Sequence, residues 1–216
     1  MILVHKIFLE SINYSNPGGF TIQRKEILRK MIEVSSYLYD KGLVPGKSGN
    51  ISIRYKKDEF ERIAVTPSGL SLKSLGEKEI VIVDMNGNPI YGSDKKPTSE
   101  LIMHLNIYNI REDVSAVVHT HSPIATGFAF ANEKIERFEG FGPITDQYIP
   151  FVEYYNPGSI ELAEAVSKGL KNNDVVILKG HGVVAVGKNL DDATLLAEFI
   201  EESAKIQFVK KVLSDE

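Results

Sequence analysis

The chain has 216 residues, a length that suits one domain or a tightly joined pair. Hydrophobic residues make up 43% and charged residues 25%, near the globular average, which excludes wholesale disorder and coiled coil. A net charge of −4 argues against nucleic acid or an anionic membrane as the main partner, and the absence of cysteine excludes disulfides, thiolate catalysis and cysteine-held zinc.

Residues 1–20 read as an N-terminal extension and linker, because an apolar patch of four residues is too short for a signal-peptide core and 11–20 are rich in turn formers. No stretch approaches the ~18 apolar residues of a membrane span, so a cytoplasmic protein is expected. The spacing of Ile27, Leu28, Met31, Ile32, Tyr37 and Leu38 predicts a helix over 24–40, stopped by Gly42. Strands are expected over 50–54, 62–66 and 79–85, the second ending in Pro67-Ser68-Gly69 and the third turning through Asn86-Gly87-Asn88 into 89–91. A helix over 97–109 precedes a β-branched run at 116–120 that reads as a buried strand. Then come a helix over 123–131, a glycine- and phenylalanine-containing loop at 139–142, a strand over 148–153 and a helix over 159–171. Two apolar strands, 175–178 and 183–186, flank Gly180-His181-Gly182, and a long helix over 190–213 opens on Asp191 and Asp192. Helices at both ends of several consecutive strands predict an α/β domain over 21–216, with a central, mainly antiparallel sheet flanked by helices.

Only five histidines are present, so their placement is informative. His119 and His121 stand two apart in a strand and therefore on one face, where neutral imidazoles suit a divalent cation. His181, between two glycines that permit a tight turn, makes a third candidate ligand. Three histidines without cysteine match the three-ligand, open-position pattern of catalytic zinc. Glu100 follows Thr98 and Ser99 at a predicted helix start, where these residues also suit capping and the helix dipole. His104 lies one helical turn after Glu100, and spacing leaves His104 and His181 as alternative ligands. Gly46-Lys47-Ser48-Gly49-Asn50 is not a nucleotide phosphate loop, since the spacing after Gly42 is wrong and the helix precedes rather than follows it. It can still offer amides and hydroxyls to a smaller phosphate.

In order along the chain, Gly-Lys-Ser-Gly-Asn-Ile-Ser at 46–52, Thr66-Pro67-Ser68-Gly69, Thr98-Ser99-Glu100, His119-Thr120-His121 and Gly180-His181-Gly182 resemble the class II aldolase/adducin family. The resemblance covers about 24–208. It implies a ring-shaped homotetramer with sites between neighbouring subunits, and one zinc ion per subunit on His119, His121 and His181, with Glu100 as a displaceable fourth ligand. By the same resemblance His104 is supporting structure, and Asn50, Ser68, Gly69, Thr98 and Ser99 surround a substrate phosphate. The implied activity is reversible cleavage of a sugar 1-phosphate, such as L-fuculose 1-phosphate, to dihydroxyacetone phosphate and an aldehyde such as lactaldehyde. Glu100 is then the general acid/base. Two alternatives share the pattern: a pentulose-5-phosphate 4-epimerase working by a retro-aldol step, and a non-catalytic adducin-like interaction module. The tyrosines that handle the aldehyde in the family's aldolases have no counterpart at 137–142 or at the end of this chain, so the donor to the aldehyde oxygen is unassigned.

Overall fold

The computed structural model describes residues 20–91, 93–142, 144 and 146–214. The first helix and hairpin are α1 (Phe20–Asp40), β1 (Asn50–Lys57) and β2 (Phe60–Val65). After a 3-10 turn at Leu72–Ser74 come β3 (Val81–Val83), β4 (Pro89–Tyr91), α2 (Leu101–Ile110), β5 (Ala116–Thr120) and α3 (Pro123–Phe130). The chain closes with β6 (Phe151–Val152), α4 (Ile160–Leu170), β7 (Val175–Leu178), β8 (Gly182–Gly187) and α5 (Leu190–Ser214). The eight strands among the described residues form one sheet in the order β4-β3-β2-β1-β5-β8-β7-β6, antiparallel throughout except for the β6–β7 pair. This is the mainly antiparallel α/β arrangement that the pattern of elements predicts. Among the described residues, no helix is long and apolar enough to cross a membrane.

Alternation along the strands builds two cores. Ile51, Ile53, Ala116, Val118, Val183 and Ala185 face one side, packing with Met31 and Leu38 of α1, Phe128 of α3 and Ile200 of α5. Val65, Val117, Val176 and Val184 face the other, against Met103 and Ile107 of α2 and Leu162 and Val166 of α4. Because both faces are covered, β5 and β7 are buried at every position, which is why β7 is a continuous apolar run and β5 opens on one, Ala116 to Val118. The middle of the sheet is thereby a rigid platform, and the C-terminal end of β5 lies at its centre.

Several boundaries differ from the sequence expectation. Phe20 belongs to α1 rather than to the linker, and 1–19 of the expected extension lie outside the described residues. The helix expected from 97 starts at Leu101, because Pro97 bridges to Pro67 and the Thr98 amide donates to the Thr66 carbonyl (3.0 Å). Residues 97–98 are thus spent on the end of β2. The strand expected over 148–153 has only two residues, and it pairs in parallel with β7 across the α4 crossover.

Candidate metal centre

Strand β5 delivers His119 to the face covered by α2 and α4, opposite Asn50 on β1 and Val184 on β8. Its imidazole is fully buried. His121 lies just past the strand, where its amide donates to the Leu43 carbonyl at 2.8 Å. His181 sits in the turn between β7 and β8, and Gly180 before it adopts φ 69°, a left-handed conformation that glycine takes without strain. A Cβ on Gly182 would lie 2.1 Å from the Thr120 carbonyl oxygen, so only glycine lets the start of β8 approach β5 this closely. The three rings therefore meet, with centroid separations of 5.0 Å (His119–His121), 4.8 Å (His119–His181) and 5.0 Å (His121–His181). One nitrogen of each lies within 4.8 Å of those of the other two.

Glu100 completes the cluster. It occupies the N-cap position of α2, yet its side chain makes no capping bond. Its Oε2 lies 3.2 Å from His119 Nε2 and its Oε1 3.5 Å from His181 Nε2. The Asn50 amide donates to Oε2 at 2.8 Å, while the buried Oε1 has no hydrogen-bond partner. Burial works against ionisation of Glu100, but His119, His181, the Asn50 amide and His104 outweigh it and hold the carboxyl below its usual range. Burial and the neighbouring imidazoles depress His121 to about 3, and burial with His119 depresses His181 to about 4, so both are neutral near pH 7. His119 donates from Nδ1 to the Val183 carbonyl at 2.9 Å, which orients the ring with its Nε2 toward Glu100 and His181. Its Nε2 lies 3.3 Å from His181 Nε2.

The donor set is thus three imidazoles and one carboxylate turned into a single small volume, with an acceptor oxygen left over. A divalent cation matches that excess of lone pairs, and an N3O set suits zinc among the common ions. His104 stands apart, with its Nε2 on Asn50 Oδ1 (2.5 Å) and its Nδ1 on Ser52 Oγ (2.7 Å), so both ring nitrogens are engaged elsewhere.

Of the residues expected around a phosphate, four are brought together by the Pro67–Pro97 bridge: Ser68, Gly69, Thr98 and Ser99. The Ser68 amide donates to the Lys96 carbonyl (3.0 Å), and Ser68, Gly69 and Ser99 are exposed whereas Thr98 is buried. Asn50 is held between Glu100 and His104 instead, spending one of its two N–H donors there. Sequence reasoning missed Glu201, a fully buried carboxylate of α5 that accepts the Ile124 (3.1 Å) and Ala125 (3.0 Å) amides. It thereby fixes the start of α3 directly after His121, and nothing local in the sequence marks it.

The pattern of the family described as "Class II Aldolase and Adducin N-terminal domain" matches residues 29–208. An L-fuculose phosphate aldolase of Methanococcus maripaludis is 42% identical over 182 residues, covering 84% of this chain and 96% of the relative. Two relatives, each 33% identical, carry other names. One, from Haemophilus influenzae, is a 3-oxo-tetronate 4-phosphate decarboxylase, covering 82% of this chain and 85% of its own length. The other, from Escherichia coli, is a 5-methylthioribulose-1-phosphate/5-deoxyribulose-1-phosphate aldolase, covering 86% of this chain and 84% of its own length. Among solved structures, an L-fuculose 1-phosphate aldolase superposes with a TM-score of 0.79 at 30% identity, covering 87% of each chain. Together with the histidine cluster at the end of β5, these matches place the chain in the class II aldolase and adducin family.

Proposed function

We propose that this protein is a zinc-dependent aldolase that reversibly cleaves a sugar 1-phosphate of the L-fuculose 1-phosphate kind to dihydroxyacetone phosphate and an aldehyde such as lactaldehyde. The observation that carries the reading is the Glu100 carboxylate, buried and set 3.2 and 3.5 Å from the Nε2 atoms of His119 and His181. His119, His121 and His181 would hold the ion, with Glu100 beside it. When bound, it supplies Lewis-acid polarisation of the substrate carbonyl.

In the condensation direction Glu100 takes a proton from C3 of dihydroxyacetone phosphate. That carbon then bonds to the aldehyde carbonyl carbon, and the aldehyde oxygen takes up a proton. Cleavage is the reverse, with Glu100 returning its proton to C3. A positioned acid/base contributes about 10²–10⁴-fold. Ser68, Gly69, Thr98, Ser99 and the remaining N–H of Asn50 would hold the phosphate and so orient C3 toward Glu100. The exposed apolar residues Phe208, Val209, Val212 and Leu213 at the end of α5 support assembly into a homotetramer, in which neighbours would complete the aldehyde side.

The test is to incubate zinc-loaded protein with dihydroxyacetone phosphate and, in turn, lactaldehyde, glycolaldehyde and glyceraldehyde 3-phosphate. Lactaldehyde should be consumed into a ketose 1-phosphate, chelation should abolish the reaction, and Glu100→Gln should slow it about 10²–10⁴-fold. Light scattering should give four chain masses. Fully loaded protein that consumes none of the aldehydes, or that only epimerises a pentulose 5-phosphate, would overturn the assignment.

A further inference from the structure

Three alternate residues of β1, Asn50, Ser52 and Arg54, share one side of the sheet. Facing them, Glu100, His104 and Tyr108 recur every four residues along α2 and its cap. Two strand residues advance about 6.6 Å and four helical residues about 6.0 Å, so the two rows stay in step. They are bonded rung by rung: Asn50 Nδ2 to Glu100 Oε2 (2.8 Å), Asn50 Oδ1 to His104 Nε2 (2.5 Å), Ser52 Oγ to His104 Nδ1 (2.7 Å) and Ser52 Oγ to the Tyr108 hydroxyl (2.7 Å). Arg54 closes the row, with its guanidinium 5.1 Å from the centre of the Tyr108 ring and donating to the Tyr108 carbonyl at 2.9 Å. Apart from Arg54, every member is buried.

The direction of these bonds is fixed from one end. An ionised carboxylate only accepts, so Asn50 presents its N–H to Glu100 and its carbonyl oxygen to His104. His104 must then donate from Nε2 and accept at Nδ1, the Ser52 hydroxyl must donate to that Nδ1, and Ser52 Oγ must accept from Tyr108. Burial supports this arrangement, since it depresses His104 to about 3 and leaves a neutral ring with one donor and one acceptor. Aligned hydrogen bonds of this kind strengthen one another.

We propose that Ser52, His104 and Tyr108 are positioning residues, a one-way chain of donors that acts through Asn50 to hold the Glu100 carboxylate in its orientation toward His119 and His181. The proposal rests on the aldolase reading for what Glu100 does. Its own content is that the proton step at C3 depends on the chain far more than substrate binding does, since Asn50 is only one of several groups proposed to hold the phosphate.

The chain predicts a tautomer that can be read without metal or substrate. Nitrogen-15 NMR of the chelated protein at neutral pH should show His104 as a single neutral Nε2–H form. With zinc restored, wild-type protein should exchange a C3 hydrogen of dihydroxyacetone phosphate in heavy water. His104→Phe should slow this exchange about 10- to 100-fold, as expected when a reacting group is slightly misplaced. Its KM should stay within about 3-fold and its zinc content should be unchanged. His104→Gln, whose side-chain amide donates at one end and accepts at the other, should recover most of the loss. Should His104→Phe fail to fold, Ser52→Ala and Tyr108→Phe break the same chain by one atom each and should show the same split between kcat and KM. An Nδ1–H tautomer, a chain-breaking variant that exchanges at the wild-type rate, or a glutamine variant no better than phenylalanine when both are folded would overturn the proposal. A wild-type protein that exchanges no C3 hydrogen would overturn the aldolase reading and the positioning role with it. Wild-type exchange matched by His104→Phe would overturn the positioning role alone.

Discussion

Replacing Gly182 with alanine would put a methyl group 2.1 Å from the Thr120 carbonyl oxygen and 3.2 Å from Cε1 of His119. Both neighbours are fixed, one by backbone pairing and the other by its bond to the Val183 carbonyl. The first rungs of β8 must therefore part from β5 by about 1 Å, against a normal strand spacing of about 4.8 Å. Overpacking of this kind costs about 1–3 kcal/mol. At about 2–4 °C per kcal/mol for a domain of this size, the melting temperature of the chelated protein should fall by about 2–12 °C. Because the same movement carries Val183 away from His119 and shifts His181, zinc per chain should drop well below one equivalent by elemental analysis. Gly46→Ala is the control: φ is 64° but nothing lies within 4 Å of the added Cβ. It should cost only the left-handed penalty of about 1–2 kcal/mol and keep the metal. A Gly182→Ala protein that binds a full equivalent and melts with the wild type would refute the steric argument.

Removing the Glu201 carboxylate as Glu201→Ala strips the partly buried Ile124 amide and the buried Ala125 amide of their acceptor and should cost about 1.5–3 kcal/mol in a thermal or urea melt. His181→Ala should lose most of the zinc while His104→Ala keeps it; the opposite result would exchange their roles. Chelated protein should lose stability on acidification, because His104 and His121 titrate at about 3 and His181 at about 4 when folded, against 6.5 for the free side chain. Between those values the unfolded chain binds protons that the folded chain refuses, so stability is full above about pH 6.5 and declines as pH falls toward 4. The depressed Glu100 acts in the same direction at still lower pH. A melting temperature that stays level or rises from pH 7 to pH 5 would contradict this.

Much of the site is legible because its chemistry is local. His119 and His121 stand at a strand period, and His181 is marked by the glycines on either side. What the sequence hides is set by partners far along the chain. By its local sequence Glu100 reads as a capping residue, and it is the family resemblance that puts it beside the metal; the fold turns its carboxylate away from the helix amides toward His119, His181 and Asn50. Spacing alone leaves His104 a rival ligand, the resemblance makes it supporting structure, and in the fold Asn50 and Ser52, more than fifty residues earlier, occupy its two nitrogens. The polar period of two at Asn50, Ser52 and Arg54, matched to the period of four at Glu100, His104 and Tyr108, is a signal that the sequence does carry. It becomes readable once β1 and α2 are known to face each other. Strand β6 is legible only as a region, within the strand expected over 148–153: two residues have no period to fix the bounds, and a parallel pairing across a helix leaves no turn signature. The late start of α2 follows from the Pro67–Pro97 bridge, a contact no local propensity encodes.

The central claim is that one divalent cation rests on His119, His121 and His181 beside Glu100. Anomalous diffraction at the zinc edge from crystals of the zinc-loaded protein tests it most directly. The account predicts one strong peak per chain, about 2.0–2.1 Å from a nitrogen of each of the three imidazoles. Full zinc occupancy with the peak at His104, or with no peak among the three histidines, would contradict it.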